Sequence, residues 1–233
     1  MNALRSIALL ASMLCGAWPT ASCALDVEEG SRERLIGLLQ GKGDVLKRTV
    51  ERIGNRTIQI RLIISAEAEY AYAKKILSEH RRYREWALRN INVKANGSSY
   101  FVKFLGCDPL PSGVLVFPIR IDLPLFGRDM TAYISIRTEN VQGGFAVHAK
   151  TTTDEHPQNL GNLDGYLYFF QAPKEKRRVF GELRGNLQLT NGLLYEALPE
   201  RLLIRETSER IQTLLENYRD RELSTRLTAG ETD

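Results

Sequence analysis

Between Thr57 and Leu77 the hydrophobic period changes once, from two residues to nearly four, with no glycine or proline in between. Ile58, Ile60, Leu62 and Ile64 fall on one side of an extended chain, with Gln59 and Arg61 on the other, as in a strand with one face in a core. Ser65 then stands where a helix N-cap belongs, and Glu67 and Glu69 where a helix dipole favours acids. Tyr72, Ala73, Ile76 and Leu77 repeat at helical spacing. A strand that feeds directly into an amphipathic helix predicts a sheet packed on helices.

The flanking sequence fixes what kind of sheet. Upstream, Ser31 caps an expected helix over residues 31–40, with Leu35, Ile36, Leu38 and Leu39 as its apolar side and Gly41 and Gly43 ending it. Residues 44–53 then form a strand that turns at Gly54-Asn55. Downstream, residues 88–94 and 99–105 flank Ala95-Asn96-Gly97, a hairpin signal. Residues 114–123, 130–139 and 145–152 follow, with a turn at Gln142-Gly143-Gly144. Residues 163–171 and 177–189 flank Pro173-Lys174-Glu175-Lys176. Consecutive hairpins build an antiparallel meander and exclude a parallel nucleotide-binding sheet. The last element is a helix over residues 193–223, interrupted near Leu198-Pro199 because the residue before proline avoids helical angles. Ile204, Ile211, Leu214, Leu215 and Tyr218 share one side of it, while Arg201, Arg205, Glu209, Arg219 and Asp220 dominate the rest. Residues 225–233 read as a frayed tail.

Residues 1–24 carry Arg5, an apolar run over residues 7–14, and small residues at Ala21, Ser22 and Ala24. That is the layout of a secretory signal peptide, and the run is too short to span a bilayer as a helix. Cleavage near Leu25 predicts an exported, periplasmic protein. Thr20-Ala21-Ser22-Cys23 partly resembles a bacterial lipobox, with Thr20 where Leu or Val is usual, so acylation of Cys23 is the competing reading. With Cys15 and Cys23 removed, Cys107 is the sole thiol and reads as structural. At 233 residues the chain can stabilise itself by core burial without disulfides. Its formal charge of +4 is too small an excess to imply nucleic acid.

No catalytic or metal motif stands out. His80, His148 and His156 lack metal-ligand spacing, and there is no G-x-S-x-G elbow, Walker loop or dinucleotide fingerprint. No metal and no cofactor are therefore expected. Gly143-Gly144, Gly181 and Gly185 read as turn or bulge glycines. Asp129 beside Arg128 reads as a loop ion pair, Asp164 as a turn aspartate and His148 as an exposed strand residue.

The order strand, helix pair, antiparallel strands and long terminal helix resembles the START-like, or SRPBCC, superfamily of helix-grip proteins. The resemblance covers residues 44–223. It rests on IISAEAEYAYAKKILSEHRRYREW at residues 63–86 and DLPLFGRDM at residues 122–130, with Ser78-Glu79-His80 where many relatives have Asp. It implies an α+β helix-grip fold, a curved antiparallel sheet wrapped around a long C-terminal helix. Residues 25–56 would form an N-terminal extension, 57–223 the START-like domain and 224–233 a flexible tail. It also implies an apolar cavity for a hydrophobic small molecule or lipid. Tyr100, Val102, Phe104, Phe117, Ile119, Ile121, Ile134, Ile136, Phe145 and Val147 are the candidate walls on the sheet, and Ile211, Leu214 and Leu215 those on the helix. Arg81 and Arg82 with Tyr83 and Trp86 form a basic-aromatic cluster that could border the entrance or touch a membrane surface peripherally. Lys174, Lys176, Arg177 and Arg178 form a second basic cluster at a hairpin tip. The leading expectation is an exported binding protein that carries or shields a lipid-like ligand at the cell envelope. The alternatives are a cyclase- or hydrolase-type enzyme, which an inward pair such as His148 with Asp164 would favour, and a ligand-free structural protein with a solid core.

Overall fold

A computed structural model describes residues 35–36, 47–94, 97–123, 126–141, 143–152, 161–173, 175–189, 192–197 and 200–230. The signal-peptide segment, most of the helix over 31–40, Ala95-Asn96, Gln142, His156, Lys174 and Leu198-Pro199 lie outside the described residues, as do the side chains of Arg128, Ile204 and Ile211.

Among the described residues nine strands form one antiparallel sheet. They are β1 (Lys47–Arg52), β2 (Thr57–Glu67), β3 (Val102–Phe104), β4 (Asp108–Pro109), β5 (Leu115–Leu123), β6 (Phe126–Val141), β7 (Gly144–Thr151), β8 (Gly161–Gln171) and β9 (Arg178–Leu189), in the spatial order β1-β2-β9-β8-β7-β6-β5-β3 with β4 on β5. The sheet curls strongly into a half-barrel. Helices α1 (Tyr70–Ser78), α2 (Tyr83–Trp86), α3 (Gly192–Ala197) and α4 (Glu200–Thr228) complete the fold, with a 3-10 turn at His80–Arg82.

The alternation in β2 sets which face is which. Ile58, Ile60, Leu62 and Ile64 are at most 1 % exposed and join one core cluster with Leu163, Leu167, Phe169, Leu183 and Leu187, and with Leu214, Leu215 and Tyr218 of α4. The helix therefore lies on that concave face. Tyr72, Ala73, Ile76 and Leu77 are the buried side of α1, as their spacing predicts.

Several local expectations give way. β2 runs through Ser65 to Glu67, because the Ser65 hydroxyl accepts a bond from Arg178 at 2.8 Å and not from a helix amide; α1 starts later, behind Glu69. Residues 88–94 form turns after α2 and not a strand: Ile91 is buried at helical distance from Ala87, and only Val93 bridges to Ser99. β1, by contrast, pairs along its whole length with β2, as the turn at Gly54-Asn55 predicts. At the other end α4 continues through Thr225 to Thr228. Gly181 and Gly185 lie inside β9 and Asp164 inside β8, so none is a turn residue.

Candidate ligand site

Strand register assembles the concave wall. Phe104 pairs with Ile119, Val102 with Ile121, Leu115 with Ile134, Ile136 with Ala149, and Val147 with Leu167. Phe104, Phe117, Ile119, Ile121, Ile134, Ile136, Phe145 and Val147 belong with Leu214 and Leu215 to the main core cluster, and Val102 packs against it half-buried. Tyr100 is 2 % exposed just ahead of β3. Thus the sheet residues singled out by periodicity share one face with the helix residues that oppose them. Across the sheet's middle, Ile60, Gly185, Gly165, Ala149 and Ile136 form one cross-strand row. Two glycines and an alanine there put almost no side-chain bulk on the floor, the usual reason for glycine inside a strand where something approaches closely. Phe169 closes one end, 5.4 Å from Phe145 and 5.6 Å from Tyr70 between ring centres.

The helix contributes what the sheet lacks. Every fourth residue along it, Glu206, Arg210, Leu214, Tyr218 and Glu222, is buried, one continuous ridge. Arg210 is 3 % exposed. Its guanidinium lies 4.3 Å over the Tyr100 ring and 5.1 Å over Phe104, and Nη2 donates to the Val102 carbonyl. Glu206 accepts the Phe101 amide at 3.1 Å and faces Lys94 at 3.4 Å, and Lys94 sits 5.2 Å from the Tyr100 ring centre. Burial pulls Arg210 down to about 10, opposed by Glu206 and then by Tyr100 and Glu209, so it stays cationic at neutral pH. Burial, then Glu209, pushes Tyr100 up to about 12, and Glu209 hydrogen-bonds its hydroxyl. Glu206 and Arg210 were legible in principle, since they stand eight and four residues before Leu214 on the predicted stripe. Their charge hides them in the sequence, because charged residues are rarely buried unless paired.

Further along α4, Arg226 bonds Glu69 and Glu222, each at 2.8 Å, and covers the Tyr72 ring at 5.0 Å, which ties the helix end to the start of α1. A pocket of about 240 Å³ opens beside it, lined by Arg177, Arg219 and Arg226 and by Glu67, Asp220 and Glu222, with Ala68 and Leu223. Its charges balance, and it lies away from the apolar wall.

One expectation about the site is corrected. Tyr83 is fully buried and Trp86 is 4 % exposed; they meet edge to face at 5.9 Å, and the Tyr83 hydroxyl donates to the Leu77 carbonyl at 3.0 Å. Helical spacing turns both rings inward, so neither borders an entrance or touches a membrane. Arg81 and Arg82 remain at the surface, where Arg82 pairs with Glu85 at 2.8 Å. His148 and Asp164 do meet, Nε2 to Oδ1 at 2.6 Å. They stand on the convex face, out of phase with buried Val147, Ala149, Leu163 and Gly165, so they are not an inward catalytic pair. Cys107 is 1 % exposed, and burial, helped by Asp108, pushes its thiol up to about 12.

No family model and no curated protein matches the sequence. Solved structures do match the fold. A fragment of the STAR-related lipid transfer protein of Xanthomonas axonopodis superposes with a TM-score of 0.51 at 12% identity, covering 76% of this chain and 96% of that one. The chain has the START-like helix-grip fold. Human STARD10 (TM-score 0.42, 9% identity, 82% and 79% covered) and the Zhui aromatase/cyclase of Streptomyces sp. R1128 (0.38, 11%, 70% and 94%) were also found.

Proposed function

We propose that this helix-grip protein is an exported binding protein that holds a lipid-like ligand between the concave sheet and α4, and carries or shields it at the cell envelope. The observation that carries the reading is the concave face itself, apolar from β2 to β3, low in bulk along Gly185, Gly165 and Ala149, and covered by α4 with α1 and α2 packed on the same cluster. A solved structure of the same fold is named for lipid transfer, which agrees with a hydrophobic ligand here. The signal-peptide layout of residues 1–24 supports export. Energetics are favourable: burying a chain of about sixteen methylenes at ~0.8 kcal/mol each yields roughly 13 kcal/mol, enough to offset much of the cost of association. The convex placement of His148 and Asp164 removes the pair that would have favoured an enzyme.

Native mass spectrometry of protein purified from its own envelope, followed by solvent extraction, tests this. A reproducible lipid adduct is expected. Clean apo protein across gentle detergents would refute it. Leu214→Trp, which adds bulk to the helix side of the wall, should lower occupancy while the circular dichroism spectrum is kept.

A further inference from the structure

The pocket of about 240 Å³ at the far end of α4 has two walls, and each carries charge of both signs. On the helix side Arg219, Glu222, Leu223 and Arg226 recur at helical spacing, with Asp220 at the rim. On the sheet side stand Glu67 and Ala68, where β2 ends, and Arg177, which leads into β9; the Ala68 amide donates to the Arg177 carbonyl at 2.6 Å and ties the two segments together. Part of this charge is already committed. Glu222 is 7 % exposed and bonds Arg226 at 2.8 Å, and Asp220 bonds Arg89 at 2.8 Å. Glu67 is exposed and its carboxylate has no partner among the described residues. Leu223, on the opposite wall, is 51 % exposed, an apolar surface in a charged cleft. Space of about 240 Å³ holds roughly eight waters and is smaller than the ~300 Å³ at which pockets for drug-sized ligands begin. Three arginines face three carboxylates, so a lone anion or a lone cation would meet as much repulsion as attraction, whereas a small zwitterion keeps the balance.

We propose that this cleft binds a free α-amino acid with an apolar side chain, at a site separate from the wall that the grip encloses. The carboxylate lies against the guanidinium groups of Arg219 and Arg177, whose planar forks suit carboxylate oxygens. The ammonium donates to Glu67, and the side chain covers Ala68 and Leu223. A phosphomonoester in place of the carboxylate would bring ~1.5–2 negative charges and upset the balance. The bound amino acid joins the end of β2, the β8–β9 hairpin and α4, next to the bond of 2.8 Å between Arg226 and Glu69, and so fastens the end of the helix to the sheet. The site stands whether or not the grip holds a lipid.

The test is isothermal titration calorimetry of the full chain at low salt with three compounds that share one carbon skeleton: L-leucine, isocaproate, which lacks the amino group, and isoamylamine, which lacks the carboxylate. Leucine should bind roughly tenfold or more tightly than either, because each analogue loses one charge-assisted contact. Leucine should also raise the urea midpoint as its concentration rises, as any ligand of the folded state does, and its affinity should fall as sodium chloride is added, since the groups it meets are exposed. Glu67 and Arg219 are exposed, so Glu67→Gln and Arg219→Gln are expected to fold. Glu67→Gln should lower leucine affinity to that of isocaproate and leave isocaproate itself unchanged; Arg219→Gln should weaken leucine and leave isoamylamine unchanged. Absence of leucine binding would overturn the proposal, as would isocaproate or isoamylamine binding as tightly as leucine, or leucine affinity unaltered in Glu67→Gln. None of these results bears on the lipid adduct expected above, which is read by native mass spectrometry, so failure here and failure of the carrier reading are told apart.

Discussion

The two faces of the sheet are made by the same strands but solve opposite problems. On the concave face the strands supply almost no charge, and among the described residues the charge there comes from Lys94 and from Glu206, Glu209, Arg210 and Glu222 on α4. On the convex face the strands carry charge and neutralise it locally: Arg61 and Arg184 both bond Glu182, at 2.6 and 2.8 Å, and Lys103 and Arg120 both bond Asp122, at 2.7 and 3.0 Å. Among the described residues that face carries the apolar patch Ile63, Phe170, Phe180 and Tyr168, and Leu35 is fully buried against it. A face whose polar groups satisfy one another is finished, whereas on the concave side Arg210 Nε and Glu209 Oε2 are buried with no hydrogen-bond partner among the described residues. Function is therefore sought inside the grip and not on its back.

The largest effect that could break this contrast is at Phe169, fully buried between Tyr70 and Phe145. Phe169→Ala should cost about 3–5 kcal/mol in urea unfolding if the ring fills a packed wall. A cost below about 1 kcal/mol would mean the ring lines open space. Next is Leu35→Ala, expected to cost about 2–3 kcal/mol by uncovering the convex patch. An unchanged midpoint would mean that the patch is sheltered by something other than the N-terminal segment.

Tyr100 gives the concave side a pH signature. Its folded value of about 12 lies above the ordinary 10.0, so its stabilising contribution is complete below pH 10 and is lost as pH rises toward 12. The difference in stability between wild type and Tyr100→Phe should therefore shrink across that window by on the order of 1–2 kcal/mol. A difference independent of pH would remove Tyr100 from the buried charge network.

How much of this was readable in the chain depends on how local the physics is. Ile58, Ile60, Leu62 and Ile64 declared their face because alternation is set by one strand alone, and the stripe of α1 did so by the same logic at helical period. Ser65 misled because a cap is decided by competition, and Arg178, 113 positions away in sequence, won it. Tyr83 and Trp86 looked like a surface cluster because Arg81, Arg82 and Arg84 surround them in sequence; a helical turn separates the two kinds of residue in space. Gly165 and Gly185 carried no sign of adjacency until the β8–β9 register aligned them. The charged ridge of α4 was visible in spacing, but only packing on Tyr100 and Phe104 explains why burial there is tolerated.

The smallest expected effect is the most direct check on the assignment of faces. His148 and Asp164 each keep over a quarter of their side-chain surface exposed, and a partly solvated pair of this kind contributes at most about 1 kcal/mol. His148→Ala should therefore shift the urea midpoint only slightly and leave ligand occupancy by native mass spectrometry at the wild-type level. Because the histidine is out of phase with Val147 and Ala149, its removal changes nothing on the wall that α4 covers. Loss of the adduct in His148→Ala, with the fold intact, would place ligand chemistry on the convex face and reverse the contrast between the two sides of the sheet.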